Sequence, residues 1–238
     1  MQTEILLGVL TFFTSTIAGV VGLGGGMILI AVLPSFLPIN ALVPVHGLTQ
    51  MSSNFSRAVF GYKDVKVEVI PKFLLGSILG VSFFATILYF ISLNYVPLFI
   101  GIYILLSLWS EKFNEKIKKF ENYVVIGFFQ SGFSIVVGAT GPLATTLLVK
   151  DYDDKHTVVA TAAALMSITH MLKVFAFMIF GFVFFDYIGV LTCMIFGAVA
   201  GSFVGTKLRD KIDGKKFMML LKVLLSLMAI KLIVGLFI

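Results

Sequence analysis

The chain has 238 residues, of which 59% are hydrophobic and 13% charged, with a formal net charge of +6. Soluble domains carry about a quarter charged residues, so an ordinary cytosolic enzyme, a disordered chain and a coiled coil are excluded. The basic residues sit in short loops between apolar runs, which is the signature of loop orientation in a membrane and not of nucleic acid binding.

Eight apolar segments follow one another, roughly 5–33, 41–61, 70–91, 94–109, 123–149, 157–180, 188–206 and 217–238. A helix needs ~20 residues to cross a bilayer, so the whole chain reads as one transmembrane domain. The first run follows Met-Gln-Thr-Glu, an acidic start without the basic region of a signal peptide, and is expected to be a retained span. It is too long for one span and is broken at Gly22-Leu23-Gly24-Gly25-Gly26. The second segment is polar, with Thr49, Gln50, Ser52, Ser53, Asn54 and the cation Arg57; His46 is expected at its end. The fifth is again overlong and is broken at Gly138-Ala139-Thr140-Gly141-Pro142. Glycine and proline both disfavour continuing a regular helix. The sixth carries Thr161, Ser167, Thr169, His170 and the cation Lys173. The lone Cys193 lies in the seventh segment, which leaves no disulfide framework and no thiol metal site.

The two breaks are copies of one pattern. A shift of 116 lays residues 12–27 on 128–143 with seven identities in sixteen, among them Ser15/Ser131, Gly22/Gly138 and Gly25/Gly141. The same shift lays Asn54 on His170 and Arg57 on Lys173. With small gaps, Gly76 and Gly80 match Gly197 and Gly201. The expected organisation is therefore two repeats of four segments, 1–119 and 120–238.

Charge decides how the repeats are oriented. If all eight segments cross once, the Lys and Arg of the loops divide equally between the two sides. If the fifth enters and leaves on one side, loops 62–72, 110–122, 150–156 and 207–216 become cytoplasmic with 14 Lys and Arg, and the external loops carry none. The second arrangement obeys the positive-inside rule. It inverts one repeat against the other, makes the first segment of each repeat a broken helix or hairpin, and places both termini outside. The predicted fold is thus an all-α membrane protein of two inverted repeats with 8–10 membrane helices, a construction common among secondary transporters.

A half-helix beginning after each break would point its N–H groups and positive dipole end at the centre, where an anion is favoured. Close helix packing is the competing use of such glycines. Arg57 and Lys173 lie inside spans while all 12 acidic residues lie in loops or at the N-terminus. A buried cation needs a partner; an anionic substrate would supply one, and snorkelling to the interface is the alternative. Asn54 shares a helix face with Arg57, as His170 does with Lys173. His170 has the right chemistry to carry a proton, and a hydrogen-bonded core histidine is the competing reading. The chain lacks a phosphate-binding loop, a nucleophile elbow and a zinc-protease helix motif. The Asp151, Asp153, Asp154 cluster reads as a solvated turn. No enzymatic activity, cofactor or metal is expected.

The stretch Ala18-Gly19-Val20-Val21-Gly22-Leu23-Gly24-Gly25-Gly26, repeated in weaker form at 137–143 with Thr140 and Pro142 in place of two glycines, resembles the TauE/SafE (sulfite exporter) family of permeases. The resemblance covers the whole chain and implies a cytoplasmic-membrane carrier that exports sulfite or a small organic sulfur anion. The reading taken forward is a secondary transporter working by alternating access at a midplane site. Its expected substrate-binding residues are Gly22, Gly24, Gly25, Gly26, Asn54, Arg57, Gly138, Thr140, Gly141, His170 and Lys173. Its expected partners are a small anion and the lipid bilayer, with no nucleic acid; a coupling proton or other ion and a homo-oligomer are compatible with it. A passive anion channel and a membrane scaffold are the alternatives.

Overall fold

Eleven α-helices make up the architecture of the computed structural model, which describes residues 2–22, 24–90, 92–118, 122–140, 142–209, 211 and 214–235. The first half contains α1 (Gln2–Val21), α2 (Gly25–Val32), α3 (Ile39–Phe60), α4 (Ile70–Tyr89), α5 (Val96–Trp109) and α6 (Glu111–Lys118). The second contains α7 (Tyr123–Val137), α8 (Pro142–Asp151), α9 (Lys155–Ile179), α10 (Ile188–Leu208) and α11 (Gly214–Val234). Every regular element among the described residues is helical, as an all-α membrane protein requires.

Among the described residues, four stretches are long and apolar enough to cross a membrane: 2–21, 67–88, 155–179 and 184–208. The helix α3 has the length, 22 residues, but its Gln, Asn, Ser and Arg residues lower its hydropathy. Exposed Ile5, Phe13, Leu79, Phe83, Phe175 and Phe196 give the outer helices an apolar surface suited to lipid.

Both overlong segments are broken where their glycines lie. In each, the chain leaves the helix through a glycine with positive φ, 88° at Gly22 and 75° at Gly138, a conformation that costs glycine little and other residues more. The helices after the breaks are short. At 1.5 Å per residue the eight residues of α2 span about 12 Å, under half of the ~30 Å hydrocarbon core. In the second half Tyr123 Oη, at the start of α7, donates to Asp151 Oδ2, at the end of α8, at 2.7 Å. Helices α7 and α8 therefore begin and end beside each other.

Side-chain caps fix two helix starts. The Asn122 side chain accepts from the Val124 N–H at 2.8 Å, and Asp154 accepts from the Thr157 N–H at 2.7 Å. That backbone bond is the main cause holding the Asp154 carboxyl below its usual range. The expectation that 110–122 is only a loop needs correction, because residues 111–118 form α6. Its sequence, Glu-Lys-Phe-Asn-Glu-Lys-Ile-Lys, gathers apolar residues on one helical face, and Phe113 packs edge-on to Tyr103. Three of the four basic loops meet at one end. Tyr152 Oη donates to Glu68 Oε1 at 3.1 Å, Lys66 lies over the Tyr152 ring, and Lys155 Nζ donates to the Arg209 carbonyl at 3.2 Å.

The halves are interlocked rather than side by side. Helix α1 packs on α10 and α7 on α4, while α3 pairs with α9 and α5 with α11. Glycines make the two outer crossings. A Cβ on Gly76 or Gly80 would overlap the carbonyls of Val124 and Phe128; on Gly197 or Gly201 it would overlap those of Gly8 and Phe12. The two sets of carbonyls are 116 residues apart. Deeper in, Ser53 joins Ser15 (3.0 Å) to Ser202 (3.1 Å), and Ser131 joins Ser77 (2.8 Å) to Thr169 (2.9 Å). Lys222 lies over the Trp109 ring and Lys231 Nζ donates to Ser35 Oγ at 3.3 Å, so these two lysines of α11 pack against neighbouring elements.

Candidate functional site

The polar stripe of α3 faces α9, and a cleft runs between them. From α3 come His46, Gln50, Asn54 and Arg57, spaced so that they line one helix face. From α9 come Ala162, Ala163, Met166 and His170. The first break closes one side with Gly22, Gly24, Gly26 and Met27, and the second adds Ala139. The cleft holds about 450 Å³ of empty space, including the part open to solvent, and among the described residues no carboxylate lines it.

Six of the expected residues line this cleft: Gly22, Gly24, Gly26, Asn54, Arg57 and His170. Four do not. Gly25 faces α1, where a Cβ would overlap the Thr14 carbonyl, so it allows α1 and α2 to pack. Thr140 is buried and donates to the Gln130 carbonyl at 2.8 Å. Gly138 lies against Ile30. Lys173 is buried behind Gly47 and Gly138. Gly141 lies outside the described residues.

Neither central cation snorkels. Arg57 is 4% exposed and Lys173 fully buried. Each reaches the end of the helix before a break. Arg57 Nη1 donates to the Ala18 carbonyl at 2.8 Å, and its Nη2 donates to Asn54 Oδ1. Lys173 Nζ donates to the Gly138 carbonyl at 2.6 Å and reaches the Ser134 carbonyl at 3.5 Å. Ala18 and Ser134 are again 116 residues apart. The cations thus meet the negative carbonyl ends of α1 and α7, where a helix dipole favours positive charge. Arg209, read from the sequence as a loop cation, is also buried there, its Nε donating to the Gly19 carbonyl at 3.0 Å.

The helix starts after the breaks are not alike. No side chain caps α2, and its first turn forms part of the cleft wall. In the second half Gln130 Oε1 accepts from the Ala144 N–H at 2.7 Å, and Thr140 ties the break to α7. The dipole end of α8 is therefore occupied by the protein itself. Gln130 replaces Thr14 under the 116 shift, and only the fold shows that its side chain reaches α8.

The expectation for His46 is corrected. It is fully buried inside α3, two residues beyond the internal Pro44, and its Nε2 is 2.9 Å from the Gly26 carbonyl. The 41–61 reading of the second segment placed it at an end, whereas α3 begins at Ile39, which puts His46 about two turns inside the helix. Gln50 and Met166 also line the cleft; their repeated spacing along α3 and α9 was the available signal.

A polar cleft built on interrupted helices, inside a shell of apolar helices, defines a membrane transporter. The chain belongs to the sulfite exporter TauE/SafE family, whose family model matches residues 7–232. No curated protein and no solved structure matches it. The protein is a membrane permease of a family of transporters rather than enzymes, with a small-molecule substrate and a lipid environment.

Proposed function

We propose that this protein is a secondary transporter that exports a small anion, sulfite or an organic sulfur anion, by alternating access. The observation that carries this reading is the cleft. It combines the uncapped N-terminus of α2 with Arg57, Asn54 and Gln50, and among the described residues no carboxylate lines it. Arg57 spends part of its hydrogen-bonding capacity on Ala18 and Asn54, and its net positive charge remains uncompensated by any lining acid. The α8 terminus is filled by Gln130, so the anion belongs at the first break rather than between two equal ones.

Two inverted repeats, 1–119 and 120–238, make the alternation. Reciprocal packing of α1 on α10 and α7 on α4 supports this, as do the carbonyl pairs 116 residues apart. In the conformation described, Arg57 faces the cleft and Lys173 is walled off. When the repeats rock, Lys173 takes the role of Arg57 on the other side. The Arg57 end of the cleft lies at the end where the basic loops meet, which is the cytoplasmic end by the positive-inside rule. Both termini are then external, in the cell membrane. Cysteine labelling of Gln2→Cys, Asp153→Cys and Phe184→Cys in a Cys193→Ser background checks the orientation. Labelling from outside is expected at positions 2 and 184 and not at 153; external labelling at 153 overturns it.

The substrate reading is tested by screening purified protein for binding of sulfite, sulfate, thiosulfate, ethanesulfonate and acetate, followed by uptake in proteoliposomes. A sulfur anion is expected to bind, with saturable flux and counterflow. A charge-assisted contact is worth roughly 1.5–3 kcal/mol, so Arg57→Gln is expected to weaken binding about tenfold to a hundredfold. Wild-type affinity in that variant removes Arg57 from the site, and steady unsaturable flux makes the protein a channel.

A further inference from the structure

We propose that His46 and His170 form one proton-binding pair, and that a proton is taken up on this pair together with the anion and carried with it. The proposal rests on the anion-transport reading of the same cleft and names its coupling ion.

The two imidazoles come from opposite walls, α3 and α9, and their ring centroids are 5.7 Å apart at 75°. His46 is fully buried and His170 is 1% exposed, yet both line the cleft. The Gly26 carbonyl can only accept, so His46 Nε2 carries a hydrogen and donates it at 2.9 Å. Its Nδ1 is then a bare lone pair, buried without a partner. His170 Nδ1 is likewise buried without a partner, and His170 has no hydrogen bond among the described residues. Two unpaired ring nitrogens at the deep end of one cleft are an expensive arrangement for a purely structural pair, because buried polar groups are almost always bonded. A proton added to either ring turns an idle acceptor into a donor for which the described residues offer no acceptor.

The surroundings tie that proton to the anion. The charged groups acting on the pair are Lys173 from α9 and Arg57 from α3. From α3 the cleft also presents Gln50 and Asn54, from α9 Met166, from the first break Gly26, and from the second Ala139, none of them charged at neutral pH. No Asp or Glu is buried among the described residues. With two fixed cations near and no carboxylate, an added positive charge on the rings has no protein counter-charge, and a second one is excluded by repulsion. A bound anion supplies the counter-charge. Binding of the anion therefore favours the proton, and by linkage the proton favours the anion to the same degree. The pair also sits where both breaks meet. His46 bonds the first turn of α2, and a Cβ placed on Gly138 would lie 3.8 Å from His46 Nδ1, beside the carbonyl that Lys173 holds. Loading of the pair thus reaches the segments that must move for release.

Calorimetric titration of the purified full-length protein tests this. The probe is thiosulfate, or ethanesulfonate where the screen favours it; both are anions of strong acids and exchange no protons themselves near neutral pH. Titrations in phosphate and in Tris, whose ionisation enthalpies differ, give the protons taken up per anion bound. Up to one proton is expected, with affinity falling as pH rises from about 6 to 8, by at most about tenfold per pH unit. The double variant His46→Gln, His170→Gln is expected to bind the anion more weakly, with neither proton uptake nor pH dependence. A purely structural role for the rings would leave those two readouts unchanged in any variant that still binds. If the double variant does not purify, the wild-type titration alone decides. Binding without proton uptake across this range overturns the proton pair and leaves the anion site standing. Absence of binding by every anion in the screen overturns both.

Discussion

Lys173→Met is expected to lower anion transport by at least tenfold while leaving the detergent melting temperature unchanged or raised. Hydrogen bonding and desolvation oppose each other at this residue. The ammonium makes hydrogen bonds to the Gly138 and Ser134 carbonyls, and bonds to charged groups are worth about 1.5–3 kcal/mol. Against this stands desolvation. Lys173 is fully buried, and no carboxylate is bonded to it. An unpaired buried ion costs several kcal/mol even after relaxation. Desolvation outweighs the hydrogen bonds, so methionine, of similar length and uncharged, gains at least what it loses. A cation retained at such cost inside a membrane protein serves function. Lys173→Arg is not expected to restore transport, because Gly47 already sits against the lysine stem and leaves no room for a planar guanidinium. A fall of several degrees in melting temperature, with normal transport by the folded fraction, would make Lys173 a helix cap and nothing more.

Gly80→Ala and Gly201→Ala are each expected to destabilise the fold by pushing two packed helices apart. At each position the new Cβ meets a backbone carbonyl, Phe128 or Phe12. A carbonyl held in a helix cannot rotate away as a side-chain end can, so the two helices must separate. Overpacking typically costs about 1–3 kcal/mol. The two glycines serve separate crossings, α4 with α7 and α10 with α1, so their costs should add. The double variant is expected to yield no monodisperse protein by size exclusion. Leu79→Ala, at an exposed position beside Gly80, is the control and should behave as wild type. Equal stability of the glycine variants and the control would mean that the crossings are looser than described.

Several features of the site were legible because they are local. The breaks follow from glycine and proline in runs too long for one span. The placement of Arg57 and Lys173 inside helices follows from apolar length alone. Asn54 falls beside Arg57 because three residues is nearly one helical turn. The correspondence of Gly76 and Gly80 with Gly197 and Gly201 pointed to positions that prove to be crossings. Helix α6 was missed since its charges read as loop, although an amphipathic surface helix has the same composition. Gly25 and Gly26 are neighbours with different tasks, and only their directions relative to α1 and the cleft separate them.

Composition and periodicity determined that the chain lives in a membrane, where its overlong segments break, and that Arg57 and Lys173 are embedded, because each of these depends on residues within a turn or a span of one another. Tertiary structure decided what those residues meet. It turned the cations toward the carbonyl ends of α1 and α7, filled the start of α8 with Gln130 from ten residues or more upstream, and left the start of α2 open to the cleft. It also brought His46 against His170, which are 124 positions apart in the sequence. The pitch of a helix fixes which residues share a face, but the face that opposes it is chosen by packing across the whole chain.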